Sequence, residues 1–127
     1  IQAVYDYAKQ VDKSGLVVMD TPGNDPSSVA GMVAGGAQVV IFTTGRGTPT
    51  GHPIAPVIKL TGNRETYARM ADNIDIDASP LIYQPKDKDA LLEHAVQVVL
   101  DTINGVPTRA ESYGFVETAI ARVCNYV

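Results

Sequence analysis

The chain has 127 residues, a length that suits one domain with a single sizeable core and is short for a core plus a separate substrate domain. Its 45% hydrophobic and 19% charged residues are ordinary globular usage, which excludes an intrinsically disordered chain. The formal charge of -4, without any run of Lys or Arg, argues against proteins that bind nucleic acid or anionic membranes electrostatically.

The start of the chain predicts a helix, because Val4, Tyr7, Ala8 and Val11 recur at helical spacing. The chain begins at Ile1 without a methionine, so we expect a fragment of a longer protein. No signal peptide or long apolar span is present, and the single cysteine cannot form an internal disulfide. These features favour the cytoplasm.

The segment GLVVMDTPGNDP, from Gly15 to Pro26, predicts a buried strand over Leu16–Met19 with Asp20 at its carboxyl end. The Asp-Thr-Pro-Gly sequence also suggests the magnesium aspartate of a GTPase. Such an enzyme needs a G-x-x-x-x-G-K-[ST] loop to hold the phosphates, and no lysine of this chain follows a glycine. A nucleotide hydrolase is therefore excluded.

A helix is predicted to start at Asp25 as N-cap, with Pro26 in its first turn, and to end at Gly35-Gly36. A second buried strand, Val39–Phe42, follows it. A strand–helix–strand unit within one sheet is almost always a right-handed parallel crossover. The sequence therefore predicts an α/β domain over residues 1–127, Rossmann-like and three-layered, with a mostly parallel sheet.

The remaining predicted elements are typical of the same class. They are, in chain order, a long loop from Thr43 to Pro56, a strand Val57–Leu60, a helix capped by Asn63 and running to Ala71, one short strand within Asn73–Pro85, and a packed amphipathic helix from about Asp87 to Asn104. The tail from Phe115 to Val127 fits a helix or an edge strand equally well.

Ligands of open parallel sheets bind beyond the carboxyl ends of the strands. Two predicted strands end there in Asp20 and in the sequence Thr43-Thr44-Gly45-Arg46-Gly47. The hydroxyls and guanidinium of the second segment suit a carboxylate, since arginine presents a fork matched to two oxygens. The alternative is a tight loop whose glycines supply positive φ and whose arginine pairs with a local acid.

Other titratable residues each have two interpretations. Loop His52 is a candidate proton shuttle or metal ligand, or is only solvated, and His94 is expected to be a half-buried structural residue. Lys59 is a candidate base or anion holder, or an edge-strand lysine that discourages aggregation. Asp20 binds a ligand or only caps a turn, and Cys124 is expected to be an inert apolar filler. No metal-binding motif supports a metal site built from this chain alone.

The segments MDTPGNDP, AGGAQVVIFTTGRGTPTGHPIAPVIKLTGN and ARMADNIDID resemble the C-terminal domain of the altronate and galactarate dehydratase family, which includes the sulfolactate sulfo-lyase large subunit. The resemblance runs from about Gly15 to Asp77. It implies a lyase that removes water from a sugar acid to leave a 2-keto-3-deoxy product, with a divalent metal such as Fe²⁺. It also implies that N-terminal and middle domains of the same protein supply metal ligands, so that this fragment alone is inactive.

Within this resemblance, the segment Thr43–Gly47 matches the family's strand-end motif and would hold the substrate, with Asp20 as the first strand-end acid. Lys59 matches the strand lysine and, with His52, is a candidate for catalysis. Two alternatives stay open: a carbon–sulfur lyase of the sulfolactate type, and a non-catalytic module that binds carboxylates and drives assembly, with a homo-oligomer conceivable in each case.

Overall fold

A computed structural model describes residues 1–84 and 88–119 of the chain. The elements are β1 Ala3–Tyr5, β2 Val17–Met19, α1 Asp25–Ala34, β3 Val40–Thr43, β4 Val57–Thr61, α2 Arg64–Met70, β5 Ile76–Asp77, α3 Pro80–Tyr83, α4 Lys88–Ile103 and α5 Arg109–Ser112. Both classes of element alternate along the chain, so the fold is mixed α/β, as the sequence predicts.

The described strands form two small parallel sheets, β1-β2 and β3-β4-β5. The prediction that the first two buried strands share one sheet is wrong, because β2 pairs with β1 and β3 pairs with β4. A Rossmann-like three-layer arrangement is therefore not shown. The physical reason is that the N-terminal residues form a three-residue strand that pairs with β2, although their apolar spacing predicted a helix.

The predicted N-terminal helix is wrong, since this segment forms β1 and a loop. Pairing with β2 buries Tyr5 and leaves Val4 71% exposed, and Ala8 has a positive φ of 59° that no α-helix contains. Tyr7 leaves the strand to pack its ring against Gly31 of α1, and its hydroxyl donates to the Ser27 carbonyl over 2.7 Å. The helical spacing of these N-terminal apolar residues therefore does not reflect a helix, since Tyr7 contacts α1 from a loop.

Helix α1 starts one residue from its predicted cap, because the Asn24 side chain, and not that of Asp25, accepts the Ser27 amide. The helix ends at Ala34 with Gly35 as its C-cap, as the Gly35-Gly36 pair predicts, and Gly36 follows with a φ of 115°. Its inner face covers the second sheet. The core cluster consists of Val29, Val40 and Val57, packed against Met32, Val33 and Phe42.

Three more predicted elements are confirmed. The helix capped by Asn63 is α2, the short strand within Asn73–Pro85 is β5, and the amphipathic helix in the second half of the chain is α4. The apolar face of α4, however, is not packed: Leu92 is 58% exposed, and this face forms with Ile41 an apolar groove of ≈ 280 Å³. His94 is exposed, not half-buried. The predicted helix start at Asp87, the end of the tail and Cys124 lie outside the described residues.

Candidate functional site

A cleft of ≈ 630 Å³ opens at the carboxyl ends of β3 and β4. The two strands are parallel, with Thr43 opposite Leu60, so the segments that follow them leave at the same edge of the sheet. The residues that line the cleft are Thr43, Thr44, Gly45, Leu60, Gly62, Asn63, Glu65, Ile82 and Tyr83. This is the position at which parallel sheets place ligands.

The segment Thr43–Gly47 reaches this cleft with its first three residues, and Arg46 follows them with an exposed side chain. The loop is held from within, because the Thr44 hydroxyl oxygen accepts the Gly47 amide over 3.0 Å. It is also held from α2, where the fully buried Thr66 donates its hydroxyl to the Gly45 carbonyl over 2.7 Å. The loop is therefore pre-organised before any ligand arrives.

The two glycines of this loop differ in what they require. Gly47 has a φ of 86°, and a Cβ there would lie 2.3 Å from the sulfur of Met70. A Cβ at Gly45 would meet nothing within 4 Å. The expectation that glycine supplies positive φ holds at Gly47, while Gly45 leaves the floor of the cleft open to a ligand.

Lys59 is fully buried, with its ammonium donating to the carbonyls of Pro49 and Thr50 over 3.4 Å each. Burial lowers the pKa of Lys59, and the charges of Asp75 and Glu117 oppose that shift. Because the side chains of a strand alternate, Lys59 points to the opposite face of the sheet from Leu60, its neighbour that lines the cleft.

The alternative interpretation of Lys59 as an edge-strand lysine is wrong. Strand β4 lies between β3 and β5, so Lys59 occupies the central strand of its sheet. Its backbone amide donates to the Asp75 carboxylate over 2.7 Å, and the same carboxylate accepts the Arg109 amide over 2.8 Å. The position joins β4 to α5 and, through the ammonium, to the long loop after β3.

His52 lies in that long loop and is buried, which contradicts a merely solvated histidine. Its Nδ1 accepts the Ile54 amide over 3.4 Å, and burial lowers the pKa of His52, so the ring is neutral near pH 7. His52 is not among the cleft residues. Its predicted role in proton transfer stays a prediction.

Asp20 is exposed at the end of β2, and its amide donates to the Tyr5 carbonyl over 2.8 Å. It neither lines the cleft nor caps α1, which Asn24 does. Because β2 and β3 lie in different sheets, strand pairing does not bring Asp20 beside the loop of Arg46. Its substrate-binding role also stays a prediction.

Six cleft residues were not predicted as site residues: Leu60, Gly62, Asn63, Glu65, Ile82 and Tyr83. One signal could have found Asn63, because Gly62-Asn63 follows β4 much as Thr44-Gly45 follows β3. Glu65 comes from α2, and Ile82 and Tyr83 come from α3. No local pattern marks these three residues, which only the fold brings to the strand ends.

The donor set of the described residues does not suit a divalent metal. Within residues 1–84 and 88–119, no three His, Cys, Asp or Glu side chains lie close enough to hold one. His52 has one ring nitrogen engaged by a backbone amide. Ligands for the Fe²⁺ that the resemblance implies would have to come from outside these residues.

Comparison with known proteins connects this geometry to a family. The D-galactarate/altronate dehydratase C-terminal family matches residues 1–125. Altronate dehydratase of Escherichia coli (strain K12) is 35% identical over 92% of this chain, which is 23% of that enzyme. The (2R)-sulfolactate sulfo-lyase subunit beta of Chromohalobacter salexigens is 32% identical over 97% of this chain and 32% of that subunit. Galactarate dehydratase (L-threo-forming) of E. coli is 34% identical over 73% of this chain and 18% of that enzyme.

The chain therefore belongs to the D-galactarate/altronate dehydratase family and corresponds to its C-terminal domain, which confirms the resemblance seen in the sequence. It spans less than a third of the length of each of these relatives. Among the described helices, none has both the length and the apolar character needed to cross a membrane.

Proposed function

We propose that this chain is the C-terminal part of a hydro-lyase that dehydrates a sugar acid, such as altronate or galactarate, to a 2-keto-3-deoxy product. The observation that carries the proposal is the family match over residues 1–125 together with a cleft at the strand ends lined by Thr43, Thr44 and Gly45. Two of the matched relatives are dehydratases of such acids by name. The cytoplasm remains the predicted location.

The reaction needs a base at the α carbon of the substrate and an acid at the neighbouring β carbon. The base takes the proton α to the carboxylate, and the electron pair spreads into an enediolate-like anion. The β-hydroxyl then leaves with a proton as water, and the resulting enol rearranges to the 2-keto acid. Charge on the carboxylate oxygens rises during the first step, so fixed donors at those oxygens lower the barrier.

The loop after β3 is suited to supply such donors. Arg46 presents a guanidinium fork matched to a carboxylate, and it follows the cleft residues Thr43 and Thr44 in the same loop. The Thr44 oxygen already accepts the Gly47 amide, so its hydroxyl proton is free to be donated. In this proposal the segment Thr43–Gly47 binds the reacting carboxylate and Gly45 allows its close approach.

Lys59 and His52 serve the same reaction from behind the loop. The Lys59 ammonium holds the Pro49 and Thr50 carbonyls, and His52 follows this stretch as a buried neutral ring. These contacts favour a positioning role for Lys59. Neither residue lines the cleft, so direct proton transfer by either side chain would require a movement into the cleft.

A divalent metal would polarise the substrate carboxylate or the departing hydroxyl when bound. Within the described residues no group of three or more His, Cys, Asp or Glu side chains could hold such an ion. In this proposal other domains of the full-length protein, which are partners of this one, supply most of its ligands. We therefore expect the 127-residue chain alone to show no turnover. Substantial dehydration of galactarate or altronate by the isolated chain would contradict this expectation.

The central test replaces Arg46 by alanine in the full-length protein. If the guanidinium grips the reacting carboxylate, kcat/KM falls by an amount equivalent to about 2 to 4 kcal/mol of transition-state binding. Arg69→Ala is the matched control, because Arg69 is also exposed but lies on α2 and not in the loop after β3. Equal activity of the two variants would reduce Arg46 to a structural part of the loop.

A second candidate is carbon–sulfur cleavage of a sulfonated hydroxy acid, favoured by the match of the sulfo-lyase subunit to 97% of the chain. Both reactions expel a group β to a carboxylate. Assays of the full-length protein with sugar acids and with sulfolactate, with and without added metal, separate the two by turnover. Binding without turnover of either substrate would instead support a non-catalytic carboxylate-binding or assembly module.

A further inference from the structure

We propose that the cleft selects sugar acids with one carboxylate, and that Glu65 is the residue that imposes this choice. This inference rests on the proposed function and deepens it by naming the substrate class. Altronate, with a single carboxylate and a terminal hydroxyl, belongs to the favoured class. Galactarate carries a carboxylate at each end and belongs to the disfavoured class.

The charge of the cleft supports the inference. Among the described residues that line it, Glu65 is the single ionisable acid, and none is Lys, Arg or His. Under the proposed function, the exposed Arg46, which follows Gly45 in the loop after β3, receives one carboxylate. A second carboxylate, extending toward α2, would meet the negative charge of Glu65 without a cationic partner among these residues. Like charges at such distances repel.

The hydrogen-bonding capacity of the same residues fits hydroxyl groups. The Asn63 side-chain oxygen is occupied by the Glu65 and Thr66 amides, which leaves its amide group as a donor only. The ionised Glu65 carboxylate is an acceptor only, while the hydroxyls of Thr43 and Tyr83 can do either. A ligand hydroxyl both donates and accepts, so it can satisfy this set, whereas a carboxylate offers Glu65 no proton.

The apolar residues of the cleft cannot impose the choice between the two substrate classes, so we assign this role to Glu65. Leu60 and Ile82 complete the wall and cannot distinguish a terminal hydroxymethyl group from a carboxylate by hydrogen bonding. Among the described residues of the cleft, discrimination between the two classes of acid therefore depends on the charge at position 65. A neutral isosteric side chain there would remove the repulsion and keep the shape of the cleft.

The test compares Glu65→Gln with the wild-type full-length protein, using altronate and galactarate as the two probes. We expect the wild type to prefer altronate, and Glu65→Gln to lower the ratio of kcat/KM for altronate over galactarate by about tenfold, as expected for removal of one partly screened charge. Raising the salt concentration should lower the wild-type ratio more than the variant's ratio, because salt screens the exposed charge that the variant lacks.

Glu93→Gln is the matched control, since it removes the same charge from an exposed position on α4 outside the cleft. It should keep the wild-type ratio, and equal thermal midpoints of both variants would show that each is folded. A wild-type preference for galactarate, or an unchanged ratio in Glu65→Gln, would overturn the inference and leave the proposed function standing. Failure of the wild type to bind or convert either acid would refute the proposed function, and this inference with it.

Discussion

Lys59→Met tests whether the buried ammonium holds the long loop against the sheet. The substitution keeps the length and volume of the side chain but removes the donors to two carbonyls. Pro49 is exposed, so water can replace the lost bond there, whereas Thr50 is buried and its carbonyl stays unsatisfied. An orphaned buried carbonyl costs about 1 to 3 kcal/mol, and relief of the lysine's desolvation returns part of it. We expect a net loss of about 2 kcal/mol in the free energy of unfolding.

The pH dependence gives this experiment a second readout. The folded-state pKa of Lys59 is lowered from 10.5 by burial, so between the two pKa values the unfolded chain binds more protons than the folded one. The free energy of unfolding of the wild type should therefore rise with pH as 10.5 is approached, and should lack this contribution in Lys59→Met.

Urea unfolding at several pH values measures both effects, with Lys13→Met as the control because Lys13 is exposed. A Lys59→Met variant as stable as the wild type at neutral pH would refute the argument that the ammonium anchors the loop. So would a variant with the same dependence on alkaline pH as the wild type.

Three further predictions follow from the loop and the long helix. Gly47→Ala should destabilise the chain by about 1 to 3 kcal/mol in the same unfolding assay, chiefly because alanine is strained at the positive φ of this position, since the flexible Met70 side chain can shift away from the new Cβ. Gly45→Ala should change stability by less than about 1 kcal/mol. Because the pKa of His52 is lowered from 6.5, wild-type stability should fall as pH drops below 6.5, and a flatter thermal-midpoint profile is expected for His52→Asn; identical profiles would contradict this. Leu92→Ala should lower the free energy of unfolding of the isolated chain by less than about 1 kcal/mol, and a loss above about 2 kcal/mol would show that this face of α4 is packed.

Local chemistry allowed several elements to be predicted. Asn63 offers a side-chain acceptor to the first amides of α2, and Gly35-Gly36 ends α1, because both signals act within a few residues of the element they bound. The strand Val57–Leu60 was predicted to within one residue for a similar reason, since a run of apolar side chains needs cover on both faces.

Other predictions were wrong because the structure at those positions depends on contacts between residues distant in the sequence. The N-terminal residues satisfy a helical spacing, yet pairing of Ala3–Tyr5 with β2 determined their conformation. The apolar stripe of α4 predicted a packed face, but periodicity reports only which side is apolar and not what covers it. A lysine within an apolar strand is typical of an edge strand. Only the pairing of β4 with both β3 and β5 shows that Lys59 lies in the central strand of its sheet.

The sequence by itself determined the α/β class, the family and the motif Thr43–Gly47, because these depend on residue types at short spacing. Tertiary structure alone decided that Lys59 faces away from the cleft and that Glu65 and Tyr83 line it. The physical reason is that a side chain's environment is set by segments distant in sequence, and strand pairing and helix packing choose those segments. The negative charge that a ligand meets in this cleft therefore results from the tertiary structure, which brings Glu65 to the strand ends.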